Sequence, residues 1–201
     1  MQVIKIYPMG FAANTYILTA DDVTAVVIDP AQPSILDEVK ERGLEVKYVL
    51  LTHGHFDHIG GCAALQKAGA KVGCLSGEDR LAILENLADA FGEKEIEPFT
   101  VDFTVKDGEL LEICNMQFKV ISTPGHTAGG ACYVAEDNLF TGDTLFRDGV
   151  GRTDLPTGNY GQLEKSVRKL YALEGDYTVY AGHGGDSTLE RERKANGAVR
   201  A

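Results

Sequence analysis

A chain of 201 residues with 44 % apolar and 24 % charged side chains has an ordinary globular composition and is long enough for one sizeable core. Its formal net charge of −11, with no dense Lys/Arg run, argues against nucleic acid and anionic membrane as partners. The start, MQVIKIYPMGF, carries no signal-peptide pattern, no segment reaches transmembrane length, and the four cysteines form no C-x-x-C pair, so free thiols in a reducing cytoplasm are expected.

Taken in chain order, apolar strand-like runs recur at VIKIY, NTYILTA, TAVVIDP, KYVLLTH, AKVGCL, ELLEICN, QFKVISTP, GACYVAE, NLFTGD and YTVYAGH. Helical patterns lie between them. Residues 33–43 begin near a proline and end on a glycine, and a second pattern runs from Asp57 to Gly69. Leu81, Leu84, Ala88 and Phe91 form one apolar stripe, within a segment over 77–99 that reads as a core-packing helix or a flap. Leu163, Val167, Leu170 and Tyr171 form another stripe, and a last short helix is predicted over Thr188 to Ala195. The alternation predicts a single layered α/β domain over residues 1–201, with helices outside packed sheets.

The chemistry is concentrated in LLTHGHFDHIGG, which puts three of five histidines and an aspartate between His53 and His58. In extended backbone, residues i and i+2 point the same way, so His53 and His55 can grip one ion while Gly54 lets the chain curl between them. Asp57 and His58, at the start of a helical pattern, can turn toward a second ion. Taken singly, His126 in STPGHT and His183 in YAGHGG read as hydrogen-bonded structural histidines, and Asp143 in LFTGDT as a turn residue. The H-x-H-x-D-H cluster is too dense for that reading and indicates a metal site. Imidazole and carboxylate without thiolate suit zinc, Fe(II) or Mn.

With these motifs in view, the sequence resembles the metallo-β-lactamase fold superfamily, and within it the short glyoxalase II-like (hydroxyacylglutathione hydrolase-like) branch that lacks the C-terminal helical domain. The resemblance runs through VVIDP, LLTHGHFDHIGG, ISTPGHTAGG, LFTGDTLFRDGVGRTDLP and VYAGHG. It implies a four-layer αββα sandwich and two divalent metal ions, with zinc expected ahead of iron or manganese. By the same resemblance His53, His55 and His126 would hold the first ion, Asp57, His58 and His183 the second, and Asp143 would bridge them. Asp57 and Asp143 then count among the catalytic groups, a metal-bridging hydroxide would attack a thioester or acyl ester, and Arg152 would hold a carboxylate of the substrate. Asp29 would anchor the ligand loop, because ligating histidines usually give their other N–H to a fixed acceptor. The expected partner is a small thioester or ester, the expected state a monomer or homodimer. The alternative is a persulfide dioxygenase-like oxidoreductase with one iron, which shares GRTD but commonly has Ala where this chain has Phe56.

Overall fold

The computed structural model describes residues 1–78 and 96–201, so the stripe from Leu81 to Phe91 lies outside the described residues. Among the described residues, fourteen strands build two six-stranded sheets and a small hairpin. The first sheet has the order β1-β2-β3-β4-β5-β6, from Gln2–Ile6, Thr15–Thr19, Thr24–Ile28, Glu45–Leu50, Lys71–Leu75 and Phe103–Val105. The second has the order β14-β13-β10-β9-β8-β7, with β7 at Leu110–Ile113, β8 at Met116–Ser122, β9 at Ala131–Ala135, β10 at Asn138–Gly142, β13 at Thr178–Ala181 and β14 at Ser187–Thr188. Between β10 and β13 the hairpin pairs β11 (Leu145–Phe146) with β12 (Gly149–Val150).

Three apolar layers explain the stacking. Tyr16, Leu18, Val26 and Ile28 of the first sheet meet Phe118, Val120, Tyr133 and Phe140 of the second in a central core. The alternate residues of the first sheet, Ile17, Val27, Val49 and Val72, turn to the helix residues Ile35, Val39, Ile59 and Leu65. On the far side Ile121, Cys132, Leu139 and Val179 pack on Val167, Leu170 and Leu189. The strands are thus buried on both faces, and the αββα sandwich follows from that. Phe118 is fully buried in the central layer, so Phe118→Ala should cost about 3–5 kcal/mol, read as a lower midpoint in urea with unchanged slope.

Two helix expectations meet the structure differently. The stripe at Leu163–Tyr171 forms one helix, Tyr160–Tyr171, capped by the Asn159 side chain accepting from the Gln162 N–H at 2.9 Å. The pattern over 57–69 is instead two short helices, Phe56–Ile59 and Cys62–Lys67. They break at Gly60 and Gly61, where a Cβ would stand 2.5 Å from the carbonyl oxygens of Ala31 and Gln32. That close backbone approach turns the chain directly after His58. The last helix starts at Leu189, with Thr188 as its cap.

The two sheets are joined at one end. Tyr16 donates its hydroxyl to the Ala181 carbonyl at 2.6 Å, Tyr133 to that of Leu51 at 2.8 Å, and Ala131 N–H to that of Thr52 at 2.8 Å. The loops leaving β4, β8, β10 and β13 all emerge there. Each carries part of the histidine–aspartate set, so the fold brings together groups up to 130 positions apart, from His53 to His183.

Candidate metal centre

All five histidines meet at that edge. The His53 ring centroid lies 4.7 Å from His55, 4.1 Å from His58 and 4.7 Å from His126, and His58 lies 5.4 Å from His183. Three sets of donor atoms, His53–His55–His126, His53–His58–Asp143 and Asp57–His58–His183, each converge within 4.8 Å. Asp143 spans the sets: Oδ1 lies 3.3 Å from His58 Nε2, and Oδ2 lies 3.4 Å from His126 Nε2 and 3.6 Å from His183 Nε2. Asp57 Oδ2 is 3.1 Å from His183 Nε2. Donors around a tetrahedral ion with bonds of about 2.05 Å sit about 3.3 Å apart, so these separations fit a shared cation.

The hydrogen bonds behind the rings orient them. Asp29 accepts from His58 Nδ1 at 2.8 Å, from Thr52 N–H at 2.8 Å and from the Thr52 hydroxyl at 2.6 Å. Because Thr52 gives its proton to Asp29, its oxygen can only accept from His53 Nδ1, 3.1 Å away. His126 Nδ1 donates to the Arg152 carbonyl at 2.7 Å. Each of these three rings therefore commits Nδ1 outward and turns Nε2 inward, and His55 Nδ1 approaches His126 Nε2 at 2.8 Å. Among the described residues, the buried side-chain atoms left without a hydrogen bond are His53 Nε2, His55 Nε2, His58 Nε2 and Asp143 Oδ1. Buried polar atoms are normally paired, so such a concentration at one point marks a place for a cation.

Asp29, with φ 49°, turns the chain and anchors His58, the anchoring role expected of it. Two glycines make room. At Gly182 a Cβ would stand 2.3 Å from Asp143 Oδ1 and 2.6 Å from His58 Cε1. At Gly142, φ is 46° and a Cβ would meet Thr52 Oγ1 at 2.2 Å. All four cysteines are free, and no candidate donor set among the described residues includes one.

Charge divides the site. Burial and the neighbouring imidazoles His58, His126 and His55 hold His53 well below its ordinary value, and burial with His126 takes His55 down to about 4. Burial also lowers His126, against the pull of Asp143. For His58 burial pulls down too, but Asp143, Asp29 and Asp57 together outweigh it and hold the ring well above its usual range. His183 is raised against burial by its hydrogen bond to Asp57 and by Asp143. Burial would push the Asp143 carboxyl up, yet His58, His126 and His183 hold it well below the usual carboxylate range.

Arg152 lines the cleft over these groups, but its fork is engaged, Nε to Asp154 Oδ1 and a terminal nitrogen to Oδ2, both at 2.7 Å. Two further residues escape sequence reading. Asn14, buried just before β2, donates to the carbonyls of Ala181 and Gly184 and so fixes the His183 turn from both sides. Glu78, also buried, accepts from the Gly54 N–H at 2.8 Å and the Thr127 hydroxyl at 3.1 Å, tying the His53–His55 loop to that of His126. Glu78→Gln puts a donor where two donors point, and should weaken divalent metal binding about 10–100-fold in a chelator competition titration.

The sequence matches the family described as the metallo-beta-lactamase superfamily over residues 8–183. It is 34 % identical over 203 residues to the hydroxyacylglutathione hydrolase GloC of Haemophilus influenzae, covering 96 % of each chain. Among solved structures it is similar to the BLEG-1 B3 metallo-beta-lactamase, at TM-score 0.90 and 30 % identity, covering 98 % of both chains. TTHA1623, solved in a di-iron-bound form, aligns at TM-score 0.86 and 30 % identity over 98 % of this chain and 99 % of its own. ETHE1 from Myxococcus xanthus aligns at TM-score 0.81 and 27 % identity over 98 % of this chain and 84 % of its own.

Proposed function

The chain belongs to the metallo-beta-lactamase superfamily, and from that footing we propose that it is a dinuclear metal hydrolase cleaving a thioester or related acyl ester, in the manner of a glyoxalase II-like enzyme. The observation that carries the reading is the pair of donor sets, His53–His55–His126 and Asp57–His58–His183, joined by the two oxygens of Asp143. In this proposal the first set holds one divalent ion, the second set another, and Asp143 contributes to both. Zinc is the expected metal, with iron or manganese compatible with the same donors. When bound, such ions supply an activated water at neutral pH and polarise the carbonyl under attack.

The residues of the chain supply the rest. Asp29, Thr52 and the Arg152 carbonyl hold the His58, His53 and His126 rings in place before any substrate arrives. Asp57 and Asp143 remain ionised at neutral pH, each held down by His58 against the effect of burial, and so counter the charge of the cations. Arg152 is the proposed anchor for a substrate carboxylate, and it would have to exchange its Asp154 partner to grip one with both nitrogens.

Metal analysis of the purified protein, paired with a panel of thioesters that includes S-D-lactoylglutathione, tests the proposal. Two equivalents of divalent metal and chelator-sensitive thioester hydrolysis are expected. The likeness to ETHE1 supports a second reading, an oxidoreductase with one iron acting on a persulfide. One equivalent of iron, oxygen consumption and no thioester cleavage would replace the first reading with the second. A complete second donor set is what the two-ion reading requires.

A further inference from the structure

The cleft above the donor sets encloses about 630 Å³, within the range of small-molecule sites. Its walls are apolar. Phe11 comes from the segment joining β1 to β2, Phe56 from the start of the short helix after His55, Phe146 and Val150 from the β11–β12 hairpin, and Leu155 from the loop that follows. Phe11 is 68 % exposed, and Tyr7 and Met9 on the same segment are 74 % and 67 % exposed. Phe146 stands edge-on to His183, with ring centroids 6.1 Å apart, so the apolar wall reaches the donor groups themselves. Apart from the histidines and aspartates of the donor sets, the one charged side chain among the described lining residues is Arg152. Its fork already lies on Asp154, and the chain as a whole is at −11.

Apolar side chains from four separate segments converging on one cleft leave wet surface that a ligand can cover, and covering it is favourable in proportion to area. A carrier thiol with several carboxylates would meet a single, engaged cation in an acidic protein. We infer that the substrate arm lying in this cleft is apolar, aliphatic or aromatic, on a thioester or acyl ester with at most one carboxylate. The bond broken rests on the hydrolase reading: water adds to the carbonyl carbon, the C–S or C–O bond breaks, and the products are a carboxylic acid and a thiol or alcohol. The apolar preference rests on the cleft alone.

Two series on the metal-loaded protein separate these claims. The first measures calorimetric binding of (alkylthio)acetates from methyl to hexyl, thioethers that cannot be hydrolysed. The second measures kcat/KM for N-acetylcysteamine thioesters of the same chain lengths, beside S-D-lactoylglutathione. Affinity and kcat/KM should each rise about three- to fourfold per added methylene. Phe11→Ala and Phe146→Ala should flatten that slope without changing metal content. A flat binding slope, or S-D-lactoylglutathione outperforming every apolar thioester, would overturn the inference. A steep binding slope with no thioester cleaved would uphold the apolar cleft and sink the hydrolase reading.

Discussion

Asp143→Asn should remove metal from the Asp57–His58–His183 set and lower thioester hydrolysis by at least about 100-fold, with the fold retained. Asp143 is the one side chain whose two oxygens face different donor groups, His58 on one side and His126 with His183 on the other. Asparagine preserves the volume but replaces one acceptor with an NH₂ and removes the negative charge. In either amide orientation the NH₂, which has no lone pair to give a cation, replaces one of the two carboxylate oxygens, and the cationic side of the cluster loses its closest counter-charge. Losing a hydrogen-bonded support behind a ligand typically costs 10–100-fold, so losing a ligand that two ions share in the proposed arrangement should cost at least as much. Near-native circular dichroism and melting, with metal content falling from about two equivalents toward one, would match this account. Two tightly held ions and near-normal kcat in the variant would refute the shared role of Asp143.

Much of this arrangement could be read from the sequence, and the residues that could not share a physical reason. The H-x-H-x-D-H spacing is informative because it follows an apolar run, and a strand end fixes where i and i+2 point. His126, His183 and Asp143 carry no such local pattern. Each became interpretable only through the family resemblance, because what unites them is the meeting of β8, β10 and β13 at one sheet edge. Glu78 could not be found that way. Its partners are a backbone N–H 24 positions away and a hydroxyl 49 positions away, and neither leaves a trace in periodicity or composition. The break at Gly60–Gly61 is hidden for a similar cause: the apolar spacing continues through it, and the carbonyls of Ala31 and Gln32 that leave no room for a Cβ there are distant in sequence. The two-residue strands β11 and β12 are too short for any alternation to register, although they carry Phe146 and Val150 into the cleft.

The second donor set should lose its ion first as the pH falls, and loading it should release protons where loading the first set does not. In the metal-free protein His53 and His126 lie below their ordinary range and His55 near 4, chiefly through burial, so this set is neutral and ready at pH 7. His58 lies well above its ordinary range because Asp143, Asp29 and Asp57 overcome burial, so below that raised pKa it holds a proton that an incoming cation must displace. His183 is shifted the same way. Metal binding that displaces one proton weakens about tenfold for each pH unit lost. Asp57 and Asp143 do not offset this, since both are held below the usual carboxylate range and stay ionised. Between pH 8 and 5 the second ion should therefore leave along a slope of about one to two decades per unit, one for each of these two histidines that is protonated, and hydrolysis should fall with it. The first ion should persist until acid approaches the value near 4 of His55. Titrating the metal-free protein in buffers of different ionisation enthalpy at pH 7 counts the protons directly. Near-zero release with the first equivalent and about one or more with the second is the expected pattern. Equal release in both steps, or loss of both ions in one transition, would mean that the carboxylates do not divide the five histidines into a neutral and a protonated set.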